Sequence, residues 1–368
     1  MFDIPFINIK DKNKGVLYYY FSNSDNKYWL IPDIHSRTAF NIYQPTSVKG
    51  KILKFCFSFF KNVDAFRRSI GVVPVFLELD ISFYSILCNC FNTKDVEISI
   101  FGGTPSNHQK ITVQIFNKSQ ILGYCKITDS SEIKNLFIKE KNILEFLKNK
   151  GLLNIPECIL LSDYKKKYSI FIQSSIKTND SQILHDFKLH HWSFLCELFE
   201  KTKLTLPFKE TDYYKSLEKL KLNICYVEEH SRSFVLEKLS YVHQYYVEVL
   251  GNEYSVYHGD FTPWNTYYEE RLQVFDFEYA KLTYPPFLDW YHFFTQVQIF
   301  KNKSSSTQII NGFNKNIEYL NKYIPDPKFL YTCYLLDVIS FYIDRDKSAM
   351  SNDVKKNINI WIELLNML

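Results

Sequence analysis

The sequence predicts an α+β protein of two lobes, a small β-rich one and a larger helical one, preceded by an additional α/β region. Three observations lead there. From Val96 to about Ser175, apolar residues alternate with polar ones in short runs around a single amphipathic helix, as half-buried strands require. After Ser175 the apolar residues recur at helical spacing almost to the last residue. A short β interruption, Val256 to Phe277, carries the conspicuous polar residues, and a small lobe followed by a large one implies a cleft.

In chain order, Val16-Leu17-Tyr18-Tyr19-Tyr20 and Tyr28-Trp29-Leu30-Ile31 are strand-like, and a helix-like stretch follows over Gly50 to Phe66. Val96 to Phe101 is a strand, Gly102-Gly103-Thr104-Pro105-Ser106-Asn107 a turn-forming loop, and Lys110 to Phe116 a strand with Ile111, Val113 and Ile115 on one face. A third strand, Ile121 to Ile127, precedes a helix from Ser131 to Asn149 that Gly151 closes. Strands near Cys158 to Leu161 and Tyr168 to Gln173 come next. Helices are expected at 182–201, 210–225, 229–250, 287–300, 304–323, 328–346 and 352–367. These patterns divide the chain into residues 1–94, 95–175 and 176–368.

Composition excludes several classes. The 368 residues are 46% hydrophobic and 23% charged, an ordinary globular balance. A net charge of +4, with bases scattered among acids, provides no nucleic-acid groove. The eight cysteines lack C-x-x-C spacing, and Cys88-Asn89-Cys90 has no second half, so buried, reduced thiols of a cytosolic protein are expected. Met1-Phe2-Asp3-Ile4-Pro5 lacks the basic start and apolar core of a signal peptide, and no segment has the apolar length of a membrane span. A soluble, cytoplasmic protein is the expectation.

The chemistry concentrates in His258-Gly259-Asp260-Phe261-Thr262-Pro263-Trp264-Asn265. Across such a turn-rich loop an Asp and an Asn five residues apart can converge, the Asp accepting a proton from a hydroxyl and the Asn oxygen ligating a hard cation. Eleven residues on, Leu272-Gln273-Val274-Phe275 reads as a buried strand ending in Asp276-Phe277-Glu278, a position suited to holding Mg²⁺ against phosphate oxygens. A hairpin turning at Glu269-Glu270-Arg271 brings Asn265 and Asp276 to the same end.

The ordered pattern H-G-D-x-x-x-x-N, a strand, then D-F-E resembles the aminoglycoside phosphotransferase and choline kinase group of the protein-kinase-like fold. Gly259 stands where protein kinases carry Arg and Glu278 where they carry Gly, which favours a small-molecule kinase. The resemblance implies Asp260 as catalytic base, Asn265 and Asp276 as metal ligands, and ATP, or GTP in its place, with Mg²⁺. Asp289 is similar to the family's later structural aspartate, or else is a helix N-terminal carboxylate.

The fold also requires an upstream Lys and a helical Glu. Lys126 alone interrupts an apolar strand, and Glu140 falls on the helix stripe marked by Ile133, Phe137, Leu144 and Leu147. A carboxylate on a buried face needs a cation, which pairs it with Lys126, whereas the rival Glu145 points off the stripe. Gly102 and Gly103 occupy the place of the phosphate loop without a G-x-G-x-x-G pattern, and a hairpin turn explains them equally well. Gln173-Ser174-Ser175 occupies the place of the purine-holding hinge.

The resemblance spans about Val96 to Leu368. Residues 1–94 lie outside it and are similar to extensions on kinase-like proteins of bacterial surface-polysaccharide pathways. Within them, bases at 49–68 flank Ile52, Cys56, Phe59 and Val63, consistent with a peripheral membrane contact or with a core helix bearing solvated lysines. The expected acceptor is a hydroxyl on a sugar or glycan intermediate. Aminoglycosides are polycations, and the region beyond Trp290, with seven acids against nine bases, forms no acidic trap for one. An aminoglycoside- or choline-type kinase stays an alternative, as does a nucleotide-binding pseudokinase scaffold.

Overall fold

The computed structural model describes residues 4–12, 14–34, 36–45, 48–103, 109–118 and 120–368. The chain packs as two compact units, Met1–Glu145 with Asn154–Gln182, and Phe146–Leu153 with Ile183–Leu368. Among the described residues no helix is long and apolar enough to cross a membrane.

The first unit is built on strands β1 (Ile7–Ile9), β2 (Val16–Ser22), β3 (Tyr28–Pro32), β4 (Val73–Leu79), β5 (Glu97–Phe101), β6 (Ile111–Asn117), β7 (Gln120–Thr128), β8 (Cys158–Tyr164) and β9 (Tyr168–Ser174). They form one antiparallel sheet in the order β1-β4-β2-β3-β5-β6-β7-β9-β8. Its helices are α1 (Ser36–Ala39), α2 (Val48–Phe60), α3 (Asp64–Ser69), α4 (Ile81–Cys90) and α5 (Ser131–Asn149).

The period-two alternation of the strands feeds two apolar layers. On one face Leu30, Ile98, Val113, Ile115, Cys125 and Ile172 pack with Phe83 and Leu87 of α4. On the other, Tyr19, Trp29 and Phe116 pack with Phe40 and with Phe57 of α2. Residues 1–94 are therefore not a separate body: β3 pairs with β5, and both layers mix residues from either side of position 94. Strand β4 and helix α4 are short apolar runs without a clear local signal, defined by pairing within the sheet and by the layer beneath it.

The second unit contains α6 (Leu189–Thr202), α7 (Asp212–Leu222), α8 (Glu229–Leu250), α9 (Leu288–Gln296), α10 (Ser306–Asn314), α11 (Ile317–Leu320), α12 (Pro327–Asp346) and α13 (Asn352–Asn366). Small sheets pair β10 (Leu204–Thr205), β11 (Glu253–Tyr257) and β14 (Lys281–Tyr284), and separately β12 (Thr266–Tyr268) with β13 (Leu272–Val274). Helix α12 is buried on every side over most of its length and packs against α7, α8, α9 and α13.

Three expected helices differ, one of them the stretch over Gly50 to Phe66, which divides into α2 and α3. The one placed at 182–201 begins at Leu189, because the Lys188 N–H donates to His191 Nδ1 (3.0 Å) and the preceding Phe187 stacks on the His191 ring. The one placed at 304–323 breaks near Asn316, whose side chain donates to the Gly312 carbonyl (2.8 Å). All eight cysteines are free thiols, but only Cys125 and Cys333 are buried. Cys225 is exposed within a 3₁₀ turn and the other five are half-buried, so full burial does not extend to all of them.

Phe57 is 1% exposed between Tyr19 and Phe40, whereas Phe55, two residues earlier on α2, is 71% exposed. Phe57→Ala should lower stability in chemical denaturation by ~3–5 kcal/mol, and Phe55→Ala by less than about 0.5 kcal/mol. Equal effects would show that α2 does not pack as described.

Candidate active site

Within the first unit, alternation along β7 sends Cys125 and Ile127 into the α4 layer and Lys126 to the opposite face, where it neighbours Phe171 of β9. Helix α5 lays Phe137 on Phe171 with ring centroids 5.6 Å apart. Glu140 shares the stripe of Ile133, Phe137 and Leu144, each at most 1% exposed, and is itself fully buried. Its carboxylate accepts from Lys126 Nζ at 2.7 and 3.0 Å. Glu145, by contrast, pairs with Lys141 at the surface (3.6 Å).

The remaining expected residues of this unit are tied into the fold. The Gly102 N–H donates to the Tyr28 carbonyl (3.0 Å), and a Cβ at Gly102 would run into the Tyr28 ring. Gly103 takes φ +77° against the Lys110 carbonyl. Residues Thr104 to Asn107 of that loop lie outside the described residues. Gln173 is buried in the sheet with Oε1 unpaired among the described residues. The Ser175 N–H donates to the Leu122 carbonyl (2.9 Å), and its hydroxyl bonds the Lys177 backbone.

In the second unit, β11 ends at Tyr257 and the chain turns through His258, Gly259 and Asp260. Gly259 takes φ +79°, and a Cβ there would sit 2.7 Å from the Tyr279 carbonyl oxygen, so only glycine fits. The His258 and Gly259 N–H groups donate to Asp289 Oδ2 and Oδ1 (2.9 and 3.2 Å). Asp289 lies in the first turn of α9, so it is at once a helix N-terminal carboxylate and the anchor of the loop. Burial pushes its carboxyl up to about 7, against the pull of the donors from His258 and Gly259 and of the nearby His292.

His258 is fully buried. Its Nδ1 accepts the Asp260 N–H (3.1 Å), which leaves Nε2 as the donor to the Phe275 carbonyl (2.9 Å). The hairpin β12–β13 and the Phe275 N–H to Asn265 carbonyl bond (3.1 Å) bring Asn265 and Asp276 to the same end. Asn265 Nδ2 donates to both the carbonyl (2.9 Å) and Oδ2 (2.7 Å) of Asp260. Asp276 takes left-handed φ +67°, an uncommon conformation that Asp tolerates better than most residues.

His292 was not singled out from the sequence. Its Nε2 lies 3.2 Å from Asp260 Oδ1, so both oxygens of Asp260 have partners. The available signal was Asp289 and His292 three residues apart, hence on one face of α9. Beside them a cavity of about 190 Å³ is lined by Gly259, Tyr279, Lys281, Tyr284, His292 and Asp337, among others. Asp337 accepts from Ser216 (2.6 Å) and Tyr284 (2.9 Å), while Lys215 and Lys219 pair with Asp212 and Asp344.

Burial holds the His258 imidazole down at about 4, the charge of Asp260 and the bond to Phe275 opposing the shift. An unfolded chain takes up that proton near the ordinary histidine value, so this contribution to stability is complete above about 6.5 and is lost as the pH falls toward about 4. His258→Asn should flatten the acid limb of the stability–pH curve by up to ~3 kcal/mol. His191, also lowered to about 4 by burial, contributes its own slope to both proteins. An unchanged limb would mean that His258 titrates normally in the fold.

No protein-family model matches the chain, and no curated protein matches it in sequence. Solved structures do match. Choline kinase LicA from Streptococcus pneumoniae superposes with a TM-score of 0.51 at 14% identity, over 78% of this chain and 98% of that one. The GDP complex of an aminoglycoside 2'-phosphotransferase-IIIa gives 0.50 at 13% identity, over 78% and 99%. A thermostable aminoglycoside phosphotransferase APH(4)-Ia mutant, in complex with ADP and hygromycin B, gives 0.50 at 11% identity, over 77% and 98%. The chain therefore has the protein-kinase-like fold of the aminoglycoside phosphotransferases and choline kinases.

Proposed function

We propose that the protein is a small-molecule kinase that transfers the γ-phosphoryl group of ATP, or of GTP, to an alcohol. The observation that carries this reading is Asp260, held at Oδ2 by Asn265 and at Oδ1 by His292 on a loop whose backbone is anchored by Asp289. The Asp260 side chain remains 32% exposed, so a hydroxyl can reach it. In the reaction the acceptor oxygen bonds to phosphorus, its proton passes to the Asp260 carboxylate, and the bond to the departing nucleoside diphosphate breaks.

The other residues take supporting roles. Lys126, held by Glu140, would neutralise phosphate charge. Asn265 spends its N–H donors on Asp260, which leaves its amide oxygen as an acceptor; with the Asp276 carboxylate it makes a hard-oxygen donor set that fits Mg²⁺. The cation, when bound, supplies charge neutralisation at the phosphates. Gln173 and Ser175 would border the purine.

The acceptor we favour is a sugar or surface-glycan intermediate. Its support is the cavity beside His292: the rim acids Asp212 and Asp344 are already paired, Asp337 is held by two hydroxyls, and Lys281 has no ion-pair partner among the described residues. A polycationic aminoglycoside or a choline-type cation would meet that lysine unfavourably. One observation favours a second reading, a nucleotide-binding pseudokinase scaffold: the N–H groups of Gly102 and Ser175 are spent within the protein.

Asp260→Asn separates the two. It removes the basicity at nearly constant size, so ATP–Mg²⁺ affinity by calorimetry should stay near wild type while phosphate gain by the acceptor falls at least ~100-fold. Equal transfer by the variant would remove Asp260 from the role of base. A wild type that binds ATP yet phosphorylates nothing across sugars, nucleotide sugars, lipid-linked glycans and aminoglycosides would favour the scaffold.

Lys126 and Glu140 should behave as one unit. Lys126→Ala and Glu140→Ala should each impair transfer, and the double variant should lose little more than the worse single. Additive losses would show that the buried pair does not act through the lysine.

A further inference from the structure

Helix α2 carries two opposed apolar faces. Gly50, Leu53 and Phe57 lie toward the sheet, with Phe57 buried among Tyr19 and Phe40. On the other side Val48, Ile52, Phe55 and Phe59 follow one another at four-, three- and four-residue steps, and fall within one narrow arc of the helix. They are 72, 57, 71 and 69% exposed. Phe55 and Phe59 stack on each other with centroids 5.6 Å apart, so the stripe is continuous. Scattered single apolar residues on a surface need no explanation, but four large ones in register along one helix face mark a contact surface.

Charge narrows the choice of what covers it. Residues 48–68 hold six bases and one acid, a charge of +5 in a chain whose total is +4. Lys54 is turned to the Tyr43 carbonyl, Lys61 pairs with Asp33, and Arg67 pairs with Asp64. Lys51 and Arg68 are exposed and make no ion pair among the described residues. A second copy docking face to face would set two cationic segments against each other, which opposes a symmetric contact. A nucleic acid would answer the bases but leave four apolar side chains in water. An anionic phospholipid surface satisfies both: the aromatic and aliphatic stripe enters the headgroup–acyl boundary, and the flanking bases meet the lipid charge.

We propose that α2 is a membrane-docking helix that seats the protein peripherally on an anionic leaflet. This surface does not depend on the identity of the acceptor or on whether phosphotransfer occurs. One helix of this length gives reversible rather than permanent attachment.

The test is co-sedimentation of the full chain with vesicles of phosphatidylcholine containing about one third phosphatidylglycerol, and with pure phosphatidylcholine. The wild type should pellet with the anionic vesicles, and less so as salt rises from about 0.1 to about 1 M. The double variant Phe55→Ser, Phe59→Ser should partition at least ~10-fold more weakly. Lys51→Glu with Arg68→Glu should weaken binding to the anionic vesicles ~10-fold and leave the neutral ones unaffected. All four side chains are exposed, so both variants should keep the wild-type melting transition, which guards against reading misfolding as loss of docking. A wild type that stays in the supernatant overturns the proposal, as does binding indifferent to the phenylalanines. A dimer by native mass that Phe55→Ser, Phe59→Ser dissolves would overturn it in favour of a second copy.

Discussion

A single buried carboxylate accepts two consecutive backbone N–H groups, and the geometry around Asp260 depends on that contact. Asp289 bonds the amides of His258 and Gly259, groups that a left-handed glycine turn would otherwise leave unsatisfied in the interior. With the turn fixed, the His258 ring bridges the Asp260 amide and the Phe275 carbonyl and so ties the loop to the strand that ends at Asp276. Asn265 then closes the loop onto Asp260 from the far end. Each polar group in the chain of contacts is satisfied by the next. A buried polar network of this kind is rigid only while it is complete.

The first unit meets a comparable demand with one ion pair. Glu140 is buried without access to solvent, and Lys126 reaches it from the neighbouring strand. Such pairs add little net stability, since desolvation of both charges offsets their attraction, but removing either partner is costly. The sheet that presents Lys126 is wider than a kinase-like lobe read from residue 95 onward would be. Strands from the first eighty residues extend it, and α2 and α4 supply part of both apolar layers. The N-terminal region is thus a condition for the first unit's core and at the same time the bearer of an uncovered apolar helix face.

Much of this was legible in the sequence because the signals were local. The alternation of Ile111, Val113 and Ile115 gave a strand, the stripe through Ile133 and Phe137 gave α5 with the bounds observed, and Glu140 stood on that stripe as an acid requiring a cation. The motif from His258 to Asp276 could be read as a loop and hairpin because its turn residues and spacing are confined to nineteen positions. Helix α6 was read too long for a related reason: residues 183–188 contain apolar side chains at plausible spacing, yet Phe187 packs against His191 and Phe293 rather than continuing a helical face.

The sequence by itself determined which residue types stand at the ends of which strands and helices, since periodicity and turn chemistry act over a few residues. Tertiary structure alone decided that β4 lies between β1 and β2, that His292 meets Asp260, and that the Gly102 and Ser175 amides are spent inside the protein. It also decided that Ile52, Phe55 and Phe59 face outward while Leu53 and Phe57 face the sheet. These are pairings between residues tens of positions apart, or choices between two equally apolar faces of one helix. Local pattern carries no information about either, because each is settled only when a distant surface becomes available to pack against.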